Sequence, residues 1–254
     1  AVRIVARELL ADRDPKAAVV AVAAAIEGGS TLEQQMAIDL LAKLPGSPQQ
    51  EALLEQGIEG LLNGTLEEQL QLEVIEAVEL AGSAQLQEKV TEFHNQLPAG
   101  NTIRTYRETL RGGNADRGRQ LFFYRNELAC VRCHKVEGQG GAVGPELSRV
   151  GAEKTRHYLL TSLLAPSVDV DPRFAAWEVE TDEGQIVTGL KIADGDAIKL
   201  LQADGRTISV PREQIESLRM IRQSAMPSDL AGKLTRRELR DLVAFLASLG
   251  KPDS

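Results

Sequence analysis

The sequence predicts a mainly α protein with a small β insertion: a run of helical repeats, then a second domain of helices gathered around one short motif and interrupted by a short antiparallel barrel or sheet. Three observations carry that prediction. Apolar residues recur at helical spacing from Val2 to Leu97. The pattern changes to alternation between Ser167 and Met220. Both cysteines of the chain, Cys130 and Cys133, fall in a single Cys-x-x-Cys-His sequence. Aromatic residues make up only 4% of the chain, which suits helical repeats better than a sandwich or barrel as the main body.

With 254 residues the chain can hold two modest domains, each with a core of its own. A net charge of -8 argues against a nucleic-acid partner, which would require a basic face. The charge is uneven: residues 1–100 carry about ten more acidic than basic side chains, and the remainder is slightly basic. No apolar run approaches the length of a membrane span.

Residues 1–98 read as a repeat domain. Helical spacing is seen in Val2 to Leu10, Ala17 to Ile26, Leu32 to Leu44, Ala52 to Leu62, Leu66 to Leu80 and Leu86 to Leu97, separated by short Gly, Pro and Ser punctuation. Thr31-Leu32-Glu33-Gln34-Gln35-Met36 recurs as Thr65-Leu66-Glu67-Glu68-Gln69-Leu70, and Leu44-Pro45-Gly46-Ser47 as Leu80-Ala81-Gly82-Ser83. That shift, about 34 to 36 residues, is a helix-pair period and makes the half HEAT-like. Thr31 and Thr65 are the expected N-caps of their helices. The half is either a spacer or a protein-docking surface. Residues 99–114 read as a linker, with one further helix expected over Thr102 to Arg111.

Residues 115–254 are organised around Cys130-Val131-Arg132-Cys133-His134. Two thiols at this spacing can each add to a vinyl group of a porphyrin, and the adjoining imidazole can reach the iron from one face. The motif therefore points to one covalently attached haem c. Structural zinc would need four ligands, and only His94 and His157 remain to supply them; an unmodified dithiol is the other alternative. Residues 115 to 124 read as a helix whose Gly118 lets a closing helix approach, and Phe245 is the expected aromatic of that closing helix. The closing helix is marked by a capping box, Thr235-x-x-Glu238, and by Gly250 just past its end. The glycines of Gly138 to Gly144 are expected to let backbone lie close to a flat macrocycle. The carbonyl beside Pro145 is expected to accept from the His134 Nδ1 and leave Nε2 for iron. Leu147, Val150, Tyr158, Leu159, Leu160, Leu163 and Leu164 either wall the haem or fill the core.

Met226, in the turn-rich Ser224-Ala225-Met226-Pro227-Ser228, is the favoured sixth ligand, with His157, Met220 or an open site as alternatives. Met220 itself sits in an apolar pattern and reads as packing. Four or five short strands over about 170–220 form the insertion, either a lid over the haem or a surface for a partner.

Taken together, Gly118-x-x-Leu121-Phe122, the Cys-x-x-Cys-His motif, Gly140-Gly141-x-x-Gly144-Pro145-x-Leu147, Ser162 with Pro166-Ser167, Gly189 and Met226-Pro227 resemble the haem-binding c-type cytochrome domain of planctomycete and verrucomicrobial proteins. The resemblance covers about residues 115 to 249 and implies a monohaem cytochrome c fold. By position it makes Cys130 and Cys133 the thioether anchors, His134 the proximal ligand and Met226 the distal one. It also implies the electron-accepting module of a larger exported protein, often with a dehydrogenase-like propeller, which this chain does not contain.

The function so expected is single-electron transfer between a donor and an acceptor protein, with no catalytic residue in this chain. A haem peroxidase or gas sensor with a displaceable distal ligand, and a solenoid adaptor that recruits protein partners, are the rivals. Covalent haem attachment in bacteria occurs outside the cytoplasmic membrane, so a periplasmic or cell-surface protein with a leader before Ala1 is expected.

Overall fold

A computed structural model describes residues 2–81, 83–202 and 204–250, and these fall into two compact units, Ala1–Gly113 and Asn114–Ser254. Gly82, part of the second copy of the repeated punctuation, lies outside the described residues.

The first unit contains α1 (Val2–Arg13), α2 (Pro15–Gly28), α3 (Thr31–Lys43), α4 (Pro48–Asn63), α5 (Gln71–Ala81) and α6 (Ala84–Asn95). Helix starts follow local chemistry. Asp14 and Ser47 each accept a hydrogen bond from an amide in the first turn, and each is followed by a proline, whose missing N–H costs nothing there. The cap of α3 is Ser30 and not Thr31: its hydroxyl accepts from the Glu33 amide while the Glu33 carboxylate takes the Ser30 N–H, a reciprocal arrangement that Thr31 is one residue too late to make. Thr65 caps no α-helix either; its hydroxyl donates to Asn63 Oδ1, and α5 begins only at Gln71. Leu41, Ile58, Leu61, Ile75 and Phe93 form the centre of the core. Buried Gln50 donates to the carbonyls of Leu41 and Leu44, satisfying the C-terminal end of α3.

The helix expected over Thr102 to Arg111 does not form; the segment is turns and one 3₁₀ turn, Arg107–Thr109. β-branched residues and the Asn101 side chain, which captures the Ile103 amide, favour turns over helix. The segment is nonetheless fixed, with Ile103, Glu108 and Thr109 buried. Arg104 and Arg107 donate to the carbonyls of His94 and Phe93 at the end of α6, and His94 lies 3.3 Å from Glu108.

The second unit begins with α7 (Ala115–Tyr124), whose cap Asn114 accepts from the Arg117 amide. It closes with α11 (Arg236–Ser248), which carries the expected capping box of Thr235 and Glu238. These two helices meet where a Cβ on Gly118 would lie 2.0 Å from the Asp241 carbonyl oxygen and 2.7 Å from the Phe245 Cβ, so only glycine permits the crossing. Phe122 and Phe245 pack with ring centres 5.6 Å apart beside it. Residues Leu239 to Ala247 of α11 are all buried, because α7 on one side and α9 (Val150–Glu153) and α10 (Arg156–Leu164) on others enclose the helix. Between α7 and α9 lie α8 (Cys130–Cys133) and a two-stranded hairpin, β1 (Lys135–Val136) with β2 (Gln139–Gly140), turned by Glu137 and Gly138 at positive φ.

The insertion is a five-stranded antiparallel sheet of β3 (Ala175–Thr181), β4 (Ile186–Asp194), β5 (Ala197–Leu201), β6 (Thr207–Pro211) and β7 (Ile215–Ser224), in the order β6-β5-β4-β3-β7. β6 and β7 are its two edges, so it is an open sheet and not a closed barrel, and it runs on to Ser224. Val179, Ile198, Leu200 and Val210 form its core. Met220, expected to pack, is 50% exposed; it lies on edge strand β7 opposite Trp177.

Candidate haem-binding site

The motif is held by backbone before any ligand is considered. Ala129 takes a left-handed conformation (φ 55°) that starts α8, and the His134 amide closes the turn on the Cys130 carbonyl at 2.9 Å. One turn of helix therefore brings Cys130, Cys133 and His134 together. Burial pushes the Cys130 thiol up to about 11 and raises Cys133 as well. Both thiols line a largely apolar cavity.

The imidazole of His134 is fixed through one nitrogen. Its Nδ1 lies 2.9 Å from the Pro145 carbonyl oxygen. A carbonyl can only accept, so Nδ1 carries the proton and Nε2 keeps its lone pair. Burial pulls the imidazole below its ordinary range, an effect the Pro145 carbonyl opposes.

The glycines after the motif also allow a close approach to the motif itself, and Gly144 lines the same cavity. A Cβ on Gly141 would lie 1.9 Å from the Arg132 carbonyl oxygen, one on Gly140 2.3 Å from that of His134, and one on Gly144 2.9 Å from the His134 ring. The loop packs against the Cys-x-x-Cys-His turn itself, and the amides of Gly141 and Gly144 donate to Val131 and Cys133, each at 2.8 Å. These glycines brace the Cys-x-x-Cys-His turn.

Cys130, Cys133, His134 and Met226 all line one largely apolar cavity of about 250 Å³. Met220 does not line it, and neither do His94 and His157. Of the aliphatics read as wall or core, Leu147, Val150, Leu159 and Leu163 line the cavity with Tyr158, whereas Leu160 is buried elsewhere. The sheet supplies wall as well: Leu190 of β4 and Leu201 of β5 line the cavity, with Gln202 and Gly205 of the turn that follows β5. Nothing in the alternating strand pattern marked Leu190 and Leu201 as wall, because alternation reports which residues share a face and not what that face covers. A wider groove of about 950 Å³ adjoins it, sharing Gly144, Pro145, Leu147, Val150, Tyr158 and the Asp169 to Asp171 and Phe174 wall, but it holds none of the motif's side chains.

The donor set fits a porphyrin. Two thiols, one neutral imidazole with a free nitrogen and one thioether share an apolar space, and among the described residues no three His, Cys, Asp or Glu side chains converge as a metal site by themselves. A helix pair crossing at a glycine beside such a turn is an arrangement able to enclose a covalently held haem. Residues 115–176 match the family model described as Cytochrome c. A search among curated proteins found no match. The second unit thus holds a c-type cytochrome domain with covalently attached haem c and an electron-transfer role, for which redox proteins are the partners. Among the described residues no helix is long and apolar enough to cross a membrane.

Proposed function

We propose that Cys130 and Cys133 are the thioether anchors of a single haem, that His134 is its proximal ligand and Met226 its distal one, and that the chain relays single electrons between two protein partners. The observation that carries this reading is the His134 Nδ1 to Pro145 carbonyl pairing at the wall of a cavity that also presents both thiols and Met226. The haem, when bound, supplies the change between ferric and ferrous iron. The protein's share is to orient the imidazole, exclude water with leucines and hold both ligands in place, so that little has to move when the charge changes. Thioether ligation would favour the ferrous state and place the potential toward the upper end of the haem range.

The domain is further proposed to serve as the electron-accepting module of a larger exported dehydrogenase-like protein, periplasmic or at the cell surface, in keeping with the compartment where covalent haem attachment takes place. The helix pairs of the first unit, with α3 packed on α5 and α4 on α6, support a HEAT-like docking surface for a protein partner. The test is intact-mass and optical spectroscopy on protein made in an exporting, maturation-competent host. The expected result is one haem added to the polypeptide and a methionine-to-iron charge-transfer band that Met226→Ala abolishes. Free thiols on a bare polypeptide would refute the haem; a band that survives Met226→Ala would refute the ligand.

A further inference from the structure

We infer that Ser167 and Arg125 are positioning residues for the distal ligand, each holding one end of the loop that carries Met226. The inference rests on the ligand set proposed above and adds what keeps its sixth member in place. Between the end of β7 at Ser224 and the start of α11 at Arg236, the chain has no strand and only one 3₁₀ turn, Ala231–Lys233. Such a loop has no ladder of backbone bonds to fix it, and side chains from elsewhere take that role.

At the near end the bonds form a relay. The Met226 N–H donates to Ser224 Oγ at 3.1 Å, and the Ser224 N–H donates to Ser167 Oγ at 3.1 Å. Ser167 follows α10, whose Leu159 and Leu163 line the cavity. At the far end Arg125 follows α7, five residues before Cys130. Its Nη2 donates to the Lys233 carbonyl at 3.2 Å, and its Nη1 pairs with Glu238 Oε1 at 2.5 Å. Both tethers thus run from segments that also build the cavity wall or lead into the Cys-x-x-Cys-His turn. Between them Leu230, 4% exposed, is seated in the cavity wall. Loss of a tether favours a loop-open state in which Met226 is off the iron.

A small ligand that competes with Met226 reads that state directly, because its apparent affinity scales with the fraction of molecules in which the loop is open. The probe is imidazole, titrated into the ferric full-length holoprotein and followed by haem absorption and by the methionine-to-iron charge-transfer band. Ser167→Ala is expected to tighten apparent imidazole binding about fivefold, the scale of one partly solvated hydrogen bond. Arg125→Ala is expected to do about the same, and the double variant to multiply the two effects, because the ends are separate. Ser167→Thr keeps the hydroxyl acceptor and is expected to bind imidazole as the unaltered protein does. Ser224→Ala removes the acceptor in the middle of the relay and serves where Ser167→Ala yields no holoprotein.

Thermal unfolding measured alongside separates positioning from bulk stability. A lowered midpoint with unchanged imidazole affinity overturns the proposal while leaving the haem reading intact. If the unaltered holoprotein lacks the charge-transfer band and binds imidazole no differently from Met226→Ala, the ligand reading fails and the tethers fail with it.

Discussion

The segment that carries His134 and the segment that carries Met226 line one cavity but are held by opposite means. Around His134 the main hydrogen bonds are local and made by backbone: the α8 turn, the amides of Gly141 and Gly144, and the Pro145 carbonyl all lie within fifteen residues of Cys130. Around Met226 the first link is local, its N–H donating to Ser224 Oγ, but the outer anchors of the loop are side chains from far along the chain, Ser167 being 57 residues from Ser224 and Arg125 108 residues from Lys233. A backbone clamp has no soft part, whereas a side-chain tether can let go and re-form. With the ligand set proposed above, the contrast implies a rigid His134 side and a Met226 side whose hold on the iron can be adjusted by single substitutions.

The strongest way to break that contrast is Gly141→Ala. The added methyl would sit 1.9 Å from the Arg132 carbonyl oxygen, with backbone and not a flexible side-chain tip in its way. We expect a loss of roughly 3 kcal/mol, in the range of severe overpacking. Urea unfolding of the holoprotein would measure it. A loss below about 0.5 kcal/mol, the scale of an ordinary surface change, would show that the proximal turn yields and is not the stiff partner of the pair.

A smaller effect sharpens the distal side. Glu238 joins the far tether to α11: it accepts from the Thr235 amide in the capping box and pairs with Arg125. The Thr235 amide, and after it Arg125, hold its carboxyl below the ordinary value of 4.5. A carboxyl lowered in the folded state contributes stability that is fully present above its unfolded value and is lost as the pH falls through the folded one. The melting temperature should therefore decline below about pH 4.5, and Glu238→Gln should flatten that decline. Thr235→Ala, which removes the hydroxyl acceptor of the cap, should cost about 1 kcal/mol at neutral pH. An unchanged pH profile in Glu238→Gln would separate the carboxylate from the acid response.

The same division between near and far governs what could be read from the residues alone. The Cys-x-x-Cys-His turn, the Pro145 carbonyl, the Gly118 crossing with Phe245 and the box at Thr235 are visible because each depends on residue type at short spacing or on a helix end with its own signature. Helices α1 to α6 of the first unit are visible for the same reason, with shifted starts such as the cap at Ser30 instead of Thr31. The helix expected over Thr102 to Arg111, by contrast, gives way to turns because the Asn101 side chain captures the Ile103 amide. What stays hidden is the matching of distant segments. Leu190 and Leu201 look like any strand residues until the sheet is placed against the cavity, and Ser167 is a punctuating serine until Ser224 is found beside it. The packing of the Gly140 to Gly144 loop on the motif turn also stays hidden, because a missing Cβ reports only that something lies close, not what it is.

Met220 gives the smallest expected effect and the cleanest control, since it is the methionine that periodicity assigns to packing and the sheet leaves half in solvent. It sits on β7, the strand that leads to Ser224 and the Met226 loop, so a change there tests whether the strand acts only as a rail. Met220→Ala removes a thioether that does not line the cavity. The expected cost is under about 0.5 kcal/mol, as for surface positions without special contacts, with the charge-transfer band and imidazole affinity unchanged. A lost band would move the ligand from Met226 to Met220. Unchanged absorption with tighter imidazole binding would instead show that β7 carries strain into the Met226 loop, and the distal side would then be held by the sheet as well as by its two tethers.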